Sequence, residues 1–215
     1  MKRLLSVTTL SLASLLTVPA HAESTFVSPA VTGSNATARL DFTITIPQVL
    51  FLRVGASAGN AQTDVTISGI TYTVPAANVG DGVAITGVGG DLTAGAVTVR
   101  VYGNGGNINL NSFTSGSLTT GTVGEVIPWS QISVVAAALT GTTTGFTNAA
   151  ITHPAFNLGG TGGAGTVTLL TAAAKVVRVE GKWTYSYLNA NAVAAGTYGT
   201  SVANNGRVTY TATQL

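Results

Sequence analysis

The sequence predicts an all-β protein, an antiparallel sandwich or barrel in one domain. Three observations carry this. Apolar and polar residues alternate with period two in one segment after another, valine and threonine are frequent, and clusters rich in glycine and asparagine separate the segments. No stretch keeps an amphipathic helical period over three turns. "TLLTAAAKVV" comes nearest, because its alanines would accept a helix.

In chain order, residues 1–22 place Lys2 and Arg3 ahead of an apolar run from Leu4 to Val18, with Ala20-His21-Ala22 behind it. That layout predicts a secretory signal cleaved after Ala22. Residues 23–36 read as a loose arm, and residues 37–215 as the β domain. In "ARLDFTITIP" one face carries Leu40, Phe42, Ile44 and Ile46 and the other Arg39, Asp41, Thr43 and Thr45. This predicts a half-buried strand stopped by Pro47. "QVLFLRV" is apolar on both faces and predicts a more central strand. Further strands are expected in "TDVTISG", "ITYTVP", "GAVTVRVYG", "NINLNSF", "SQISVVAA", "GTVTLLT", "KVVRVEGKWTYSYL" and "GRVTYTAT". The turns between them fall on "GASAGN", "GVGGD", "GNGGN", "LTGTTTG" and "NLGGTGGAG".

Composition excludes several functions. Charged residues are 7% of the chain, with nine Lys plus Arg against seven Asp plus Glu. Loss of Lys2 and Arg3 with the signal leaves the two signs balanced, and the remaining cations are scattered. No basic stripe for nucleic acid is present. A neutral chain also lacks the repulsion that keeps molecules apart, which suits one that associates. Cysteine is absent, which removes disulfides, thiol catalysis and Cys-zinc sites. Beyond the signal one histidine remains, His153, so a multi-histidine metal site within one chain is excluded.

"GTGGAG" (160–165) matches Gly-x-Gly-x-x-Gly, and Glu180 stands where a ribose-binding acid would be wanted. Such a loop needs a strand before it and a helix after it, so that backbone N–H groups meet phosphate. Here "TVTLLT", rich in β-formers, follows, and the motif reads as a turn. His153 in "THPAF" is the only imidazole for a nucleophile's base, and no Gly-x-Ser-x-Gly elbow accompanies it. Asp41, Asp64, Asp81, Asp91, Glu125 and Glu180 lie in separate segments. Asp81 and Asp91 occupy Gly-rich loops where calcium could be held, though without EF-hand spacing. No catalytic residue, cofactor or metal is expected.

Trp183, Tyr185 and Tyr187 share one face of "KWTYSYL". Facing solvent they would stack sugar rings; facing inward they would be core, the commoner fate of an apolar strand face.

"AAGTYGT" followed by "GRVTYTAT" resembles the last hairpin of chaperone–usher pilins and spore-coat-U-like secreted proteins, on Gly196, Tyr198, Val208 and Tyr210. "FTITIP" and "IPWSQISV" bear a looser likeness. The resemblance implies an incomplete immunoglobulin-like sandwich whose missing strand comes first from a periplasmic chaperone and then from the next subunit's N-terminal arm. Residues 23–36 are then the donor arm, with Phe26, Val27, Ala30 and Val31 as plugs. The chain departs from the pattern in lacking a disulfide and in carrying Pro29 within the arm. The expected function is that of an exported, non-enzymatic structural protein of a Gram-negative cell: periplasmic, surface or extracellular, of fimbrial or pilus type. Its partners would be copies of itself or homologous subunits, with no membrane span after signal cleavage. The alternative is a secreted carbohydrate-binding or adhesive module using Trp183, Tyr185 and Tyr187.

Overall fold

The computed structural model of the protein describes residues 23–56, 64–200 and 202–215. The expected signal segment lies outside the described residues, as does most of the turn "GASAGN". By internal contacts the chain divides between Ile46 and Pro47.

The second unit holds the β-structure. In chain order its strands are β1 (Leu50–Val54), β2 (Ile70–Thr71), β3 (Ile85–Thr86), β4 (Val88–Gly89), β5 (Ala96–Gly103), β6 (Ile108–Thr114) and β7 (Leu118–Thr119). They are followed by β8 (Val126–Ile127), β9 (Ile132–Ala137), β10 (Thr147–Asn148), β11 (Gly163–Ala164), β12 (Thr168–Leu170), β13 (Val177–Tyr187) and β14 (Val208–Gln214). Helical structure among the described residues is limited to three-residue 3-10 turns. "TLLTAAAKVV" is no helix: β12 ends at Leu170, and a turn with Ala174 and Lys175 at positive φ leads into β13.

Two larger sheets face each other. In the first, β1 pairs with β5 and β5 with β13, both antiparallel. The far edge of β13 takes β9 antiparallel and β10 parallel, while β3 extends the β5 side. In the second, β6 lies between β14 and the short strands β11 and β12, all antiparallel. The pleat turns Val97, Val99 and Val101 of β5 inward, with Trp183, Tyr185 and Tyr187 of β13. Ile108 and Leu110 of β6 meet them from the other sheet. Burying each of these side chains stabilises the fold by about 1.5–3 kcal/mol. Both buried indoles are satisfied: Trp183 Nε1 donates to the Ile151 carbonyl at 2.6 Å and Trp129 Nε1 to that of Gly116 at 2.7 Å.

The strand expectations hold for the longer segments and fail in three places. Residues 64–69 of "TDVTISG" join no ladder, and pairing begins only at β2, Ile70–Thr71. "QVLFLRV" supplies β1, which is an edge and not a central strand. Its two apolar faces have different causes: Leu52 and Val54 pack on the core, whereas Phe51 lies on the outer face beside Tyr102. The half-buried strand expected in "ARLDFTITIP" is not formed. Residues 38–46 join no ladder, and Leu40, Phe42, Ile44 and Ile46 are 75%, 83%, 83% and 75% exposed. The alternation is real, but in the described chain no neighbouring strand meets it.

The chain joins the two sheets along one flank. Ala149 N–H donates to the Glu180 carbonyl beside β13, and six residues later Ala155 accepts from Thr166 N–H and Ser112 Oγ beside β6. Gly181 lies where this segment crosses β13, and a Cβ there would run into the carbonyls of Ala149 and Ala137. Glycine within a strand here marks a close backbone approach. Gly181→Ala should therefore destabilise the protein by about 1–3 kcal/mol, read as a lower urea midpoint with unchanged slope.

Candidate functional site

Glu180, His153, Asp81 and Asp91, four of the side chains that could carry chemistry, each have structural partners. Glu180 is fully covered and faces the outer side of the first sheet. Its carboxylate accepts from Arg100 Nε and Nη2 at 3.0 and 2.7 Å and from the Thr143 N–H. Burial by itself would raise this carboxyl; the Thr143 and Arg100 donors outweigh it and hold it below the usual carboxylate range. The same contacts fasten the loop 139–146 onto the sheet. Phe146 sits between the guanidinium groups of Arg100 and Arg178, each 4.9 Å from its ring centre. Asn148 closes the loop through the backbone of Leu139, at 2.7 and 2.9 Å. Glu180 is thus the anchor of a loop and not the acid of a nucleotide site. The glycines of "GTGGAG" form a turn into β11, with Gly162 at φ 75° lying too close to the Thr114 carbonyl for any side chain.

His153 is at the centre of an aromatic cluster. Its ring meets Phe156, Trp183, Tyr185 and Tyr210 edge-on, with centres 4.6–5.8 Å apart. Nε2 shares a hydrogen bond with Tyr210 Oη at 2.7 Å, and Tyr210 Oη another with Tyr185 Oη at 2.8 Å. Burial lowers the imidazole to about 4 and raises both phenols. Among the described residues no serine, threonine or carboxylate is hydrogen-bonded to the ring, and the His153–Tyr210–Tyr185 chain joins core polar groups to one another.

Asp81 accepts from Asn78 Nδ2, Val83 N–H and Asn189 Nδ2 at 2.7–3.0 Å. Asp91 accepts from Thr98 N–H at 2.8 Å and pairs with Arg53 at 3.3 Å. Both carboxylates tie down their own loops. Among the described residues no three acids or histidines are grouped closely enough for a metal ion, and no helix is long and apolar enough to cross a membrane. Trp183, Tyr185 and Tyr187 are core residues, at 0%, 7% and 6% exposure. The strand therefore presents Lys182, Thr184 and Ser186 outward, and the stacking platform is not built.

What the fold leaves open is a strand edge. β14 pairs with β6 from Val208↔Thr114 to Gln214↔Ile108, and alternate residues of such a pair turn their N–H and C=O away from the partner. No described strand is hydrogen-bonded to that outer side of β14. β1, the edge of the facing sheet, packs against β14. Along this flank Leu52, Val54, Val208, Tyr210 and Ala212 are only partly buried, whereas Val99, Val101 and Leu110 behind them are fully covered. The seven residues "VTYTATQ" contain no charge, proline or glycine, the devices by which edges are protected.

The expected donor residues occupy a loop that closes on itself. Ser34 N–H donates to the Val31 carbonyl in a turn with Gly33 at φ 96°, and Thr25 Oγ1 donates to the Thr37 carbonyl at 2.8 Å. Arg39 bridges both oxygens of Glu23 at 2.7 and 2.8 Å in an exposed pair. Phe26 and Val31 are exposed, Ala30 is exposed and Val27 half-buried.

Comparison of the chain with known protein families, with curated proteins and with solved structures finds no match. The functional reading therefore rests on the chain's own geometry.

Two outcomes follow from the buried groups. His153 has its folded value below its unfolded one, so the unfolded chain takes up the proton first and stability falls as pH drops from about 6.5 towards 4. Urea unfolding should lose about 2 kcal/mol between pH 7 and pH 5, and His153→Gln should remove most of that slope. Glu180→Ala leaves Arg100 without its carboxylate and should cost about 3 kcal/mol. Faster amide exchange at Thr143 would show that the loss begins in the 139–146 loop.

Proposed function

We propose that this chain is an exported, non-enzymatic structural protein of the bacterial cell surface, a fimbrial- or pilus-type subunit that assembles by strand addition. The observation that carries the reading is the outer edge of β14: seven residues without charge or proline, with no described strand bonded to that side and with partly buried Val208, Tyr210 and Ala212 beneath them. An edge of this kind is satisfied by an added strand, whose main chain continues the ladder and whose alternate side chains complete the core. On this reading the sandwich is immunoglobulin-like with one strand missing beside β14. A periplasmic chaperone would hold the edge before assembly. The balanced charge of residues 23–215 and the structural use of His153 and Glu180 agree with a subunit and supply nothing for catalysis.

The test is electron microscopy of material sheared from producing cells, with the protein labelled. Filaments bearing the label are expected. Val208→Asp or Ala212→Arg, which set a charge on the open flank, should reduce filaments at least tenfold while the purified variant still melts cooperatively. Normal filaments from both variants would remove β14 from the assembly.

A further inference from the structure

The reading above names an acceptor edge and leaves its occupant open. We propose that the occupant is residues 38–46 of a second copy of this chain, with Leu40, Phe42, Ile44 and Ile46 turned towards Val208, Tyr210 and Ala212 along the outer edge of β14. The inference rests on the strand-addition reading and deepens it.

Four large apolar side chains in strict alternation, each three-quarters or more exposed, have the pattern of a strand with one buried face and no partner. Arg39, Asp41, Thr43 and Thr45 supply the solvent face of the same strand. Nine residues at about 3.3 Å each span roughly 30 Å, enough to cover β14 from end to end. The loop closed by Glu23 and Arg39 offers nothing comparable: the chain bends at Ser28 and Pro29, between Val27 and Ala30, and turns again at Val31–Ser34.

A second copy is favoured by how the chain enters β1. Asn104 N–H donates to the Val49 carbonyl at 3.3 Å, Val49 N–H to Asn104 Oδ1 at 2.7 Å, and Asn104 Nδ2 to the Pro47 carbonyl at 2.9 Å. The β1–β5 ladder thus runs on past Leu50, and Pro47–Val49 is held along it. Gln48 Nε2 donates to Gln214 Oε1 at 3.0 Å, so the chain passes the end of its own β14 while running along β5, and a segment laid along that same β14 would have to reverse before Pro47. Donation from one copy to the next is a heterologous contact, which builds an open filament and not a closed pair.

Because the chain has no cysteine, pairs of introduced thiols report the contact directly. Thr43 and Thr211 both belong to solvent faces near the middles of their strands, so substitution there spares the core. Neighbours on one face of adjacent strands stand about 4.5–5.5 Å apart. The full chain carrying Thr43→Cys with Thr211→Cys, assembled and treated with a short bismaleimide, should give a covalent ladder on a reducing gel. Val27→Cys with Thr211→Cys should give none. Thr43→Cys with Val135→Cys, which probes the edge strand β9, should give none either. Filaments that ladder through Val27 and not Thr43 would overturn the donor assignment and leave strand addition at β14 standing. Filaments that ladder only with Val135 would move the acceptor to β9. Filaments with no ladder in any pair would end both readings. Phe42→Asp with Ile44→Asp should abolish filaments, and the melting temperature of the pure monomer should stay within a few degrees of the parent's.

Discussion

A β-strand presents two hydrogen-bonding edges, and the energetic cost of leaving one bare shapes this molecule more than any single side chain does. β14 uses one edge fully, against β6 over seven residues, and its other edge has no described strand. The inward residues of β14 already pack on the main core, so the edge is fixed in position and its partner's register is set by the pleat beneath it. On the proposed reading, the apolar face of β14 and its outer edge, to which no described strand is bonded, are both met by a strand with alternate large apolar side chains.

The rigidity of that edge comes from β13. This eleven-residue strand receives β5 along one side and β9 and β10 along the other. Inward, Trp183 and Tyr185 reach Tyr210 of β14 through ring contact and a shared hydroxyl bond. Outward, Glu180 gathers Arg100 and the 139–146 loop. The strand therefore connects the outer loop, the aromatic centre and the open edge in one packed unit. His153 completes the centre as a neutral ring, and its titration makes the cohesion of this unit sensitive to mild acid.

Much of this was legible in the sequence, because period two survives wherever a strand has one wet and one dry face. β5, β6, β9, β13 and β14 fall on segments expected to be strands, and the row Trp183, Tyr185, Tyr187 is inward, as an apolar strand face usually is. Other features were not legible. An edge strand and a central strand can share one apolar pattern, so "QVLFLRV" did not disclose that Phe51 lies on the outer face. "ARLDFTITIP" carries the clearest alternation in the chain, yet alternation records the environment a segment is suited to and not the molecule that provides it. Residues 23–36, which precede that run, turn at Val31–Ser34 through Gly33 and Ser34 and do not form one extended strand. The ion pair of Glu180 with Arg100 joins residues far apart in sequence, and no local pattern points to it.

The most direct measurement of the central claim is amide hydrogen exchange of 38–46 and 208–214 followed through assembly. The account predicts that residues 38–46 and alternate amides of β14 exchange quickly in the dilute monomer and become protected together, with the same concentration dependence. Protection of β14 in the monomer, or assembly that leaves 38–46 exchanging freely, would contradict it.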